Sequence, residues 1–341
     1  MWKRHIFFFG FFTFCRCALS LAGIALLTAF VSPSLFAQKK EPIDIIKVNT
    51  DLVVFDVQVV DRKTRNNIAD LKDADFEIWD RGIKQKLTYF SYDELPLSIM
   101  LLLDVSDSVR PFIHRIRDGA LRALQNLKPQ DEVAVMAFAS SSKLIQDFTL
   151  DRRLAAAQIE NATSAAKLGP LTQFAEAMDH AAVKMLNAPL GNRSVIIVVT
   201  DNFFVTSEFQ EKIIVTDLFA SGAVVYALLV NTSNPATGLK GGASAGIEHY
   251  VEQTGGETVK ANNHDIADKL ALLIEHLRLR YALGFRPTDT KDEKFRPVEI
   301  KLVRAGNAKD RRIVLTKRGY YFRRARFSRA LPQKSCDDYL D

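Results

Sequence analysis

The chain has 341 residues, of which 48% are hydrophobic and 25% are charged. This globular composition excludes a disordered chain, and the length is sufficient for two domains of ordinary size. The formal net charge of +6 overstates the basic character, because Lys3, Arg4 and Arg16 lie in an N-terminal segment that holds no acidic residue. Without that segment, 43 basic residues face 40 acidic ones, which is close to balance.

The first 37 residues have the pattern of a secretory signal peptide. They open with Lys3 and Arg4, continue through "ALSLAGIALLTAFV" and end in "SPSLFA". This pattern predicts cleavage after Ala37 and an exported protein that is periplasmic, bound to the cell envelope or secreted. The alternative is an uncleaved anchor, although the apolar run over residues 18–31 is short for a membrane span.

Residues 38–96 are predicted to be an N-terminal β-strand region. Alternating apolar residues predict a first strand, and "DFEIWDRGIKQKLTYFSYD" predicts two more strands around a turn at residues 80–82. Three short strands are about half of a small β-sandwich. The alternating residues of the first strand are Val53, Phe55, Val57 and Val59.

Residues 97–280 change to continuous apolar strands that alternate with amphipathic helices. Such an alternation predicts a mainly parallel sheet that is covered on both faces, which is a doubly wound α/β architecture. Gly222 is expected to end one of the helices, since glycine is common just after a helix C-terminus. The predicted buried strands are "LSIMLLL", "DEVAVMAFAS", "RSVIIVVT" and "AVVYALLV".

Residues 281–322 return to alternating patterns and predict three further strands, "YALGFRP", "RPVEIKLVRA" and "RRIVLTK". We expect them to pair with the strands of residues 48–92. The predicted fold class is therefore α/β, with a doubly wound sheet inserted between β-strand flanks that form a small β-sandwich.

A basic tail is predicted at residues 323–341, within a basic and aromatic stretch that begins at Lys317. In an exported protein this stretch is expected to be a solvated tail or to contact the anionic envelope, and no nucleic-acid partner is expected. Cys336 is the cysteine that remains after signal removal, because Cys15 and Cys17 lie in the signal. An intramolecular disulfide or a cysteine metal site is therefore excluded.

Five oxygen-bearing residues follow the predicted strands or open a predicted helix. Ligands of doubly wound sheets bind beyond the carboxyl ends of the strands, so we expect these residues to share one edge. Helix capping is the alternative for the serines and the threonine, although one cap explains one residue only. The five residues are Asp104, Ser106, Ser108, Thr172 and Asp201.

The sequence "DVSDS" at residues 104–108 resembles the metal-ion-dependent adhesion site of von Willebrand factor type A domains, with Thr172 and Asp201 in matching positions. The resemblance covers residues 97–280. The whole layout, with its "TGG" at residues 254–256, resembles the exported von Willebrand-type proteins of Acidobacteria. The chain departs from the family pattern in "GPLT", in the added charge of Asp107, and in Asn202, which stands where a glycine is common.

The resemblance implies that Asp104, Ser106 and Ser108 coordinate Mg²⁺, with Mn²⁺ or Ca²⁺ as alternatives. Thr172 and Asp201 would coordinate directly or through water. Neutral hydroxyl ligands leave much of the charge on the ion, so an open position favours a Glu or Asp carboxylate of a partner protein. The predicted function is an exported, non-enzymatic binding module.

Two alternatives stay open at this point. One is a structural or assembly component of the cell envelope, in which the metal only stabilises the fold. The other is a serine hydrolase, because "GASAG" at residues 242–246 matches the G-x-S-x-G pattern with Ser244 at its centre. Phe203 and Phe204 are expected either to line the rim of the metal site or to lie in the core.

Overall fold

The structure is a computed structural model that describes residues 52–92, 95–165, 168–189, 191–202, 204, 206–230, 246–262, 264–287, 294–303 and 312–321. The predicted signal peptide, Phe203, Ser244 and the basic tail with Cys336 lie outside the described residues. Within the described ranges, no helix is long and apolar enough to span a membrane.

Within its described residues, the N-terminal flank forms four strands instead of the predicted three. They are β1 (Val53–Asp61), β2 (Phe76–Asp80), β3 (Ile83–Gln85) and β4 (Leu87–Ser91). The predicted strand after the turn at residues 80–82 was wrong as a single element, because the chain changes sheets at Lys86. β3 forms a hairpin with β2, whereas β4 pairs in the other sheet of the sandwich. Strands that switch sheets in this way make the corners of sandwiches.

The central region holds a six-stranded sheet in the order β10-β9-β8-β5-β6-β7. Its strands pair in parallel except β7, which runs antiparallel to β6 at the edge. The elements are β5 (Leu97–Asp104), α1 (Ile113–Gln125), β6 (Glu132–Phe138), β7 (Ser142–Thr149), α2 (Arg152–Ala165), α3 (Phe174–Met185), β8 (Arg193–Thr200), α4 (Glu208–Ser221), β9 (Val224–Val230), α5 (Ile247–Thr254), β10 (Thr258–Ala261) and α6 (Ile266–Arg278).

Helices cover both faces of this sheet, as the continuous apolar strands predict. One core contains Ile116 of α1 and Leu270 of α6, and the other contains Met178 of α3 and Leu218 of α4. Gly222 follows α4 with φ 67° and ends that helix as predicted. The doubly wound, mainly parallel α/β prediction is confirmed, although β7, α5 and β10 were missed.

The C-terminal flank forms β11 (Tyr281–Phe285), β12 (Phe295–Leu302), β13 (Arg312–Leu315) and β14 (Gly319–Tyr321), of which β14 was not predicted. Strands of both flanks combine in two antiparallel four-stranded sheets, β13-β1-β11-β4 and β14-β12-β2-β3; they alternate in the first sheet, and in the second β12 of the C-terminal flank pairs with β2 of the N-terminal flank.

The two four-stranded sheets enclose a shared apolar core. Phe55 and Tyr281 of one sheet belong to the same core as Phe76 and Ile300 of the other, and the rings of Phe76 and Tyr281 lie 5.1 Å apart. The flanks thus form a small β-sandwich with the α/β region inserted between them, as the fold-class prediction states. The boundaries at residues 97 and 280 stay predictions.

The "TGG" stretch at residues 254–256 connects α5 to β10. Thr254 Oγ1 accepts a hydrogen bond of 2.9 Å from the backbone of Val225. Gly255 has φ 78°, and a Cβ at this position would lie 2.1 Å from the carbonyl carbon of Thr316. A Cβ at Gly256 would lie 1.9 Å from the carbonyl oxygen of Val225. These two glycines are required because backbone segments approach closely on both sides.

Candidate metal centre

Asp104 ends β5 and is fully buried. Its Oδ1 accepts hydrogen bonds from the backbone N of Ser106 at 3.0 Å and from Ser106 Oγ at 2.6 Å. Its Oδ2 accepts a hydrogen bond of 2.6 Å from Thr200 Oγ1 at the end of β8. Both carboxylate oxygens are therefore held in place by residues at the same edge of the sheet.

Ser108 joins the cluster through Ser106, since their Oγ atoms are 3.2 Å apart. Ser106 is buried, whereas Ser108 is half-buried. Helix capping does not explain either serine. A 3₁₀ turn at Arg110–Phe112 comes before α1, and Phe112 occupies the cap position of that helix.

The loop that carries Thr172 is held at the same edge by backbone hydrogen bonds. The N atom of Asp107 donates to the carbonyl of Pro170 at 3.3 Å, and the N atom of Gln173 donates to the carbonyl of Ala139 at 2.6 Å. Gln173 occupies the cap position of α3, so Thr172 does not cap that helix. No described hydrogen bond joins the Thr172 hydroxyl to Asp104, although the two loops are in contact.

Asp201 follows β8 directly and lies close enough to affect the charge of Asp104. The pKa of Asp104 is raised to about 6, because burial and the negative charge of Asp201 together outweigh the hydrogen bonds from Ser106 and Thr200, which lower it. A carboxylate that is buried near a second carboxylate is unfavourable in its charged form. A cation between the two groups would remove this penalty.

Asn202 connects this loop to the start of α5. Its φ of 63° is left-handed, a conformation that asparagine tolerates better than most residues. Its Oδ1 accepts a hydrogen bond of 3.0 Å from the backbone of Ile247, and its Nδ2 donates one of 3.0 Å to Glu248. A Cβ at Gly246 would lie 2.8 Å from that Nδ2. The last glycine of "GASAG" therefore makes room for the Asn202 amide.

Thr200 and the Asn202 contact were missed by the sequence analysis. A hydroxyl residue that ends an apolar strand just before Asp201 was the available signal for Thr200. The sequence offers no local signal for the second contact, because 45 positions separate Asn202 from Ile247.

Phe204 does not line the rim of the site. Its ring stacks on Phe174 at 3.9 Å between centroids, within the core beneath α3. Instead, Leu171 and Phe209 present apolar side chains near this edge, with exposed fractions of 65% and 74%. Leu171 comes directly before Thr172, and Phe209 lies in the first turn of α4.

The donor set fits a hard divalent cation. Carboxylate and hydroxyl oxygens are the ligands that Mg²⁺, Mn²⁺ and Ca²⁺ prefer, whereas zinc prefers nitrogen and sulfur. Within the described part of the chain, no group of three or more His, Cys, Asp or Glu side chains forms a metal cluster. The residues around Asp104 offer hydroxyl oxygens from Ser106, Ser108 and Thr200 beside the carboxylate.

Comparisons with solved structures find low identities. BatB from Bacteroides thetaiotaomicron is 16% identical, with 53% of this chain and 97% of that chain covered and a TM-score of 0.41. Proximal thread matrix protein 1 from the mussel byssus, with a zinc-occupied adhesion motif, is 14% identical over 55% and 49%, with a TM-score of 0.43. A von Willebrand factor type A protein from Catenulispora acidiphila is 9% identical over 73% and 75%, with a TM-score of 0.45.

A comparison with the curated proteins finds no match. The family profile of the von Willebrand factor type A domain matches residues 99–203, a segment that includes Asp104, Ser106, Ser108, Thr172 and Asp201. This segment of the chain, which begins in β5 and ends just after β8, is therefore similar to the von Willebrand factor type A domain.

Proposed function

We propose that this chain is an exported, non-enzymatic binding module that engages an acidic side chain of a partner protein through a divalent cation. The observation that carries the proposal is the buried Asp104 carboxylate. It is fixed by Ser106 and Thr200 and lies near the charge of Asp201. Such an arrangement favours a bound cation over two uncompensated carboxylates.

Each predicted ligand has a distinct role in this proposal. Asp104, Ser106 and Ser108 would hold the ion from one loop, and Thr172 and Asp201 would complete its shell directly or through water. Mg²⁺ takes about six oxygen ligands and commonly uses only one or two carboxylates from the protein. The bound ion would supply an open position for a carboxylate, since its hydroxyl ligands carry no charge. Mn²⁺ and Ca²⁺ are the alternative ions.

Hydrolysis through Ser244 is not favoured. A nucleophile elbow requires a strand that runs directly into the turn. β9 ends at Val230, well before Ser244. Gly246 at the end of the motif instead packs against the Asn202 amide.

One observation favours a second candidate, a structural or assembly component of the envelope. Asp104 is fully buried, so a cation that offsets its charge would also stabilise the fold. In that case divalent ions would raise the melting temperature of the protein, yet no partner would depend on them. Metal-dependent binding of a partner therefore distinguishes the binding module from the structural component.

Calorimetric titration of the purified chain with Mg²⁺ and Mn²⁺ tests the metal site. We expect binding by the native chain and its loss in Asp104→Ala. Asp118→Ala, which removes an exposed acid on α1, should leave it unchanged. Equal and negligible metal binding by all three proteins would rule out the proposal.

Partner binding is tested by capture from envelope extract with and without EDTA. A partner that is released by EDTA and is not captured by Asp104→Ala supports the binding module. Metal-dependent stability without a metal-dependent partner supports the structural alternative. Export is tested by sequencing the N-terminus of the mature protein, which we expect to begin at Gln38.

A further inference from the structure

A cleft lies at the edge of the six-stranded sheet opposite to Asp104, where β8 and β9 begin. One wall comes from the sandwich and includes Val54, Asp56 and Lys317, and the other includes Arg193 at the start of β8 and Phe219 near the end of α4. The cleft has a volume of about 270 Å³. Its lining combines apolar side chains with charged ones, as small-molecule sites commonly do.

Positive charge exceeds negative charge around this cleft. Asp56 forms ion pairs with two arginines. Arg193 Nε lies 3.0 Å from one oxygen of its carboxylate, and Arg280 Nε lies 2.8 Å from the other. Lys317 is the third cation near this carboxylate, with its Nζ 4.8 Å from the centroid of the Phe55 ring. Among the described residues, three cations thus surround the Asp56 carboxylate: Arg193 and Lys317, which line the cleft, and Arg280, which is fully buried beside Asp56.

Burial of these cations makes their unbalanced positive charge unfavourable for the folded protein. The side chains of Arg193 and Arg280 are only 4% and 0% exposed. Burial lowers the pKa of Lys317 to about 8, although the charge of Asp56 opposes the shift. The C-terminal end of α4, at Ser221 and Gly222, contributes roughly half a unit of negative charge. A net positive charge remains, and a bound anion would neutralise it.

The size and the walls of the cleft restrict the kind of anion. A volume near 270 Å³ lies just below the range for drug-sized ligand sites, about 300–1,000 Å³, so only a small molecule would fit. Val54, Ala282 and Phe219 supply apolar surface beside the charged groups. We propose that this cleft is a second binding site that takes a small monocarboxylate, with the carboxylate at Lys317 and Arg193 and an apolar body against these three residues.

The test is a calorimetric titration of the full chain with benzoate and hexanoate in the presence of EDTA. EDTA removes divalent ions, so the carboxylate cannot bind at the proposed metal centre, and the two proposals are tested separately. We expect both acids to bind, and benzyl alcohol and inorganic phosphate to bind at least tenfold more weakly. Phosphate that binds as tightly as benzoate, or no binding of either acid at millimolar concentration, would overturn the proposal.

Three variants locate the binding. Lys317→Met should weaken benzoate binding at least tenfold, while Lys317→Arg should retain it. Ala282→Leu should fill the cleft and abolish binding with every charge kept, so it carries the test if Lys317→Met is unstable. Lys301→Met removes a half-exposed lysine elsewhere in the sandwich and should have no effect. Benzoate binding that survives both Lys317→Met and Ala282→Leu would contradict the assignment.

Discussion

Thr200 Oγ1 donates a hydrogen bond of 2.6 Å to Oδ2 of Asp104, and this bond joins the last residues of β8 and β5. Thr200 also accepts a bond of 3.1 Å from the backbone N of Asn202. The hydroxyl therefore sets the orientation of the carboxylate and the path of the next loop together. If Asp104 binds a cation as proposed, Thr200 would hold a ligand without contacting the metal, and groups of this kind commonly affect metal affinity.

Thr200→Val tests this relationship. Valine keeps the shape of the side chain but leaves Asp104 Oδ2 without its donor, so we expect Mg²⁺ and Mn²⁺ affinity to fall by about 10-fold to 100-fold. Calorimetric titration measures the change. Thr216→Val is the matched control, since that hydroxyl bonds only within α4, to the carbonyl of Lys212 among the described residues. An unchanged affinity in Thr200→Val would show that Asp104 does not need this support.

Asn202 can be tested with two substitutions that both remove its amide and differ in how easily the backbone adopts a left-handed conformation. Both Asn202→Gly and Asn202→Ala remove the bonds to Ile247 and Glu248, so amide exchange at the start of α5 should become about fivefold faster, since one such bond contributes about 1 kcal/mol. Alanine must also adopt φ 63°, which costs about 1–2 kcal/mol more than glycine. Denaturant unfolding measures this difference.

Asn161→Ala, on the surface of α2, serves as the control for hydrogen exchange. Exchange at α5 that stays at the native rate in both variants would mean that the amide does not hold this helix. Equal stability of the glycine and alanine variants would argue against strain at position 202.

Gly255 and Gly222 share a left-handed conformation but differ in their surroundings. Gly222→Ala should cost about 1–2 kcal/mol, because its φ is 67° and the space around it is open. Gly255→Ala should add about 1–3 kcal/mol for overpacking, because the new Cβ would meet the backbone of Thr316. Thermal unfolding of both variants measures the difference, and equal losses would contradict the close approach.

The lowered pKa of Glu257 predicts that the free energy of unfolding falls in acid. It is 4% exposed, and hydrogen bonds from His276 at 2.9 Å and from Arg65 at 2.9 Å hold it. Burial raises its pKa, but these hydrogen bonds outweigh burial, so the pKa lies below its usual value of 4.5. Because the folded state binds the proton more weakly, this group stabilises the protein above pH 4.5, and the contribution falls as pH decreases through the lowered pKa.

Glu257→Gln separates this effect from general acid denaturation. We expect it to lower the free energy of unfolding by about 2 kcal/mol at pH 7, since the charged acceptor of the hydrogen bonds from His276 and Arg65 is lost, and by much less near pH 3. Glu299→Gln, which removes an exposed acid that pairs with Lys301, is the control. A difference between native chain and Glu257→Gln that is constant from pH 7 to pH 3 would exclude this role for Glu257.

The sequence predicted those strands and site residues whose signal lies within a few neighbouring positions. The four continuous apolar strands are recognisable because they are buried on both faces. β7 was missed since it is a half-exposed edge strand, and the break at Lys86 was missed because it depends on which sheet each half joins. Asp104, Ser106 and Ser108 lie within five residues, whereas the partners of Asn202 are distant in the sequence.

The sequence also did not predict that a charged side chain, that of Arg280, is buried. Arg280 follows the last helix and reads as an ordinary surface residue, yet its side chain is fully buried. It donates hydrogen bonds to Gln58 at 3.1 Å, to the Tyr226 hydroxyl and to the carbonyl of Gly255 at 3.1 Å, besides its ion pair with Asp56. These partners belong to both the sandwich and the six-stranded sheet.

The placement of Arg280 bears directly on the predicted boundary at residue 280. A fragment of residues 97–280 would keep Arg280 and Arg193 but lose both ion pairs with Asp56 and the hydrogen bond of Arg280 to Gln58. We expect this fragment to be unfolded or aggregated at 25 °C, whereas a chain from residue 38 should unfold cooperatively. Circular dichroism of the two proteins measures this.

Asp56→Ala in the full chain isolates the ion pairs from the loss of the sandwich. Removing one partner of a buried pair costs about 3–5 kcal/mol, and we expect a loss of this size because Arg193 and Arg280 would both be left without their shared carboxylate. Asp118→Ala, which breaks an exposed pair with Arg117, should cost less than about 1 kcal/mol. If Asp56→Ala were as stable as Asp118→Ala and the 97–280 fragment folded, the inserted domain would be independent of its flanks.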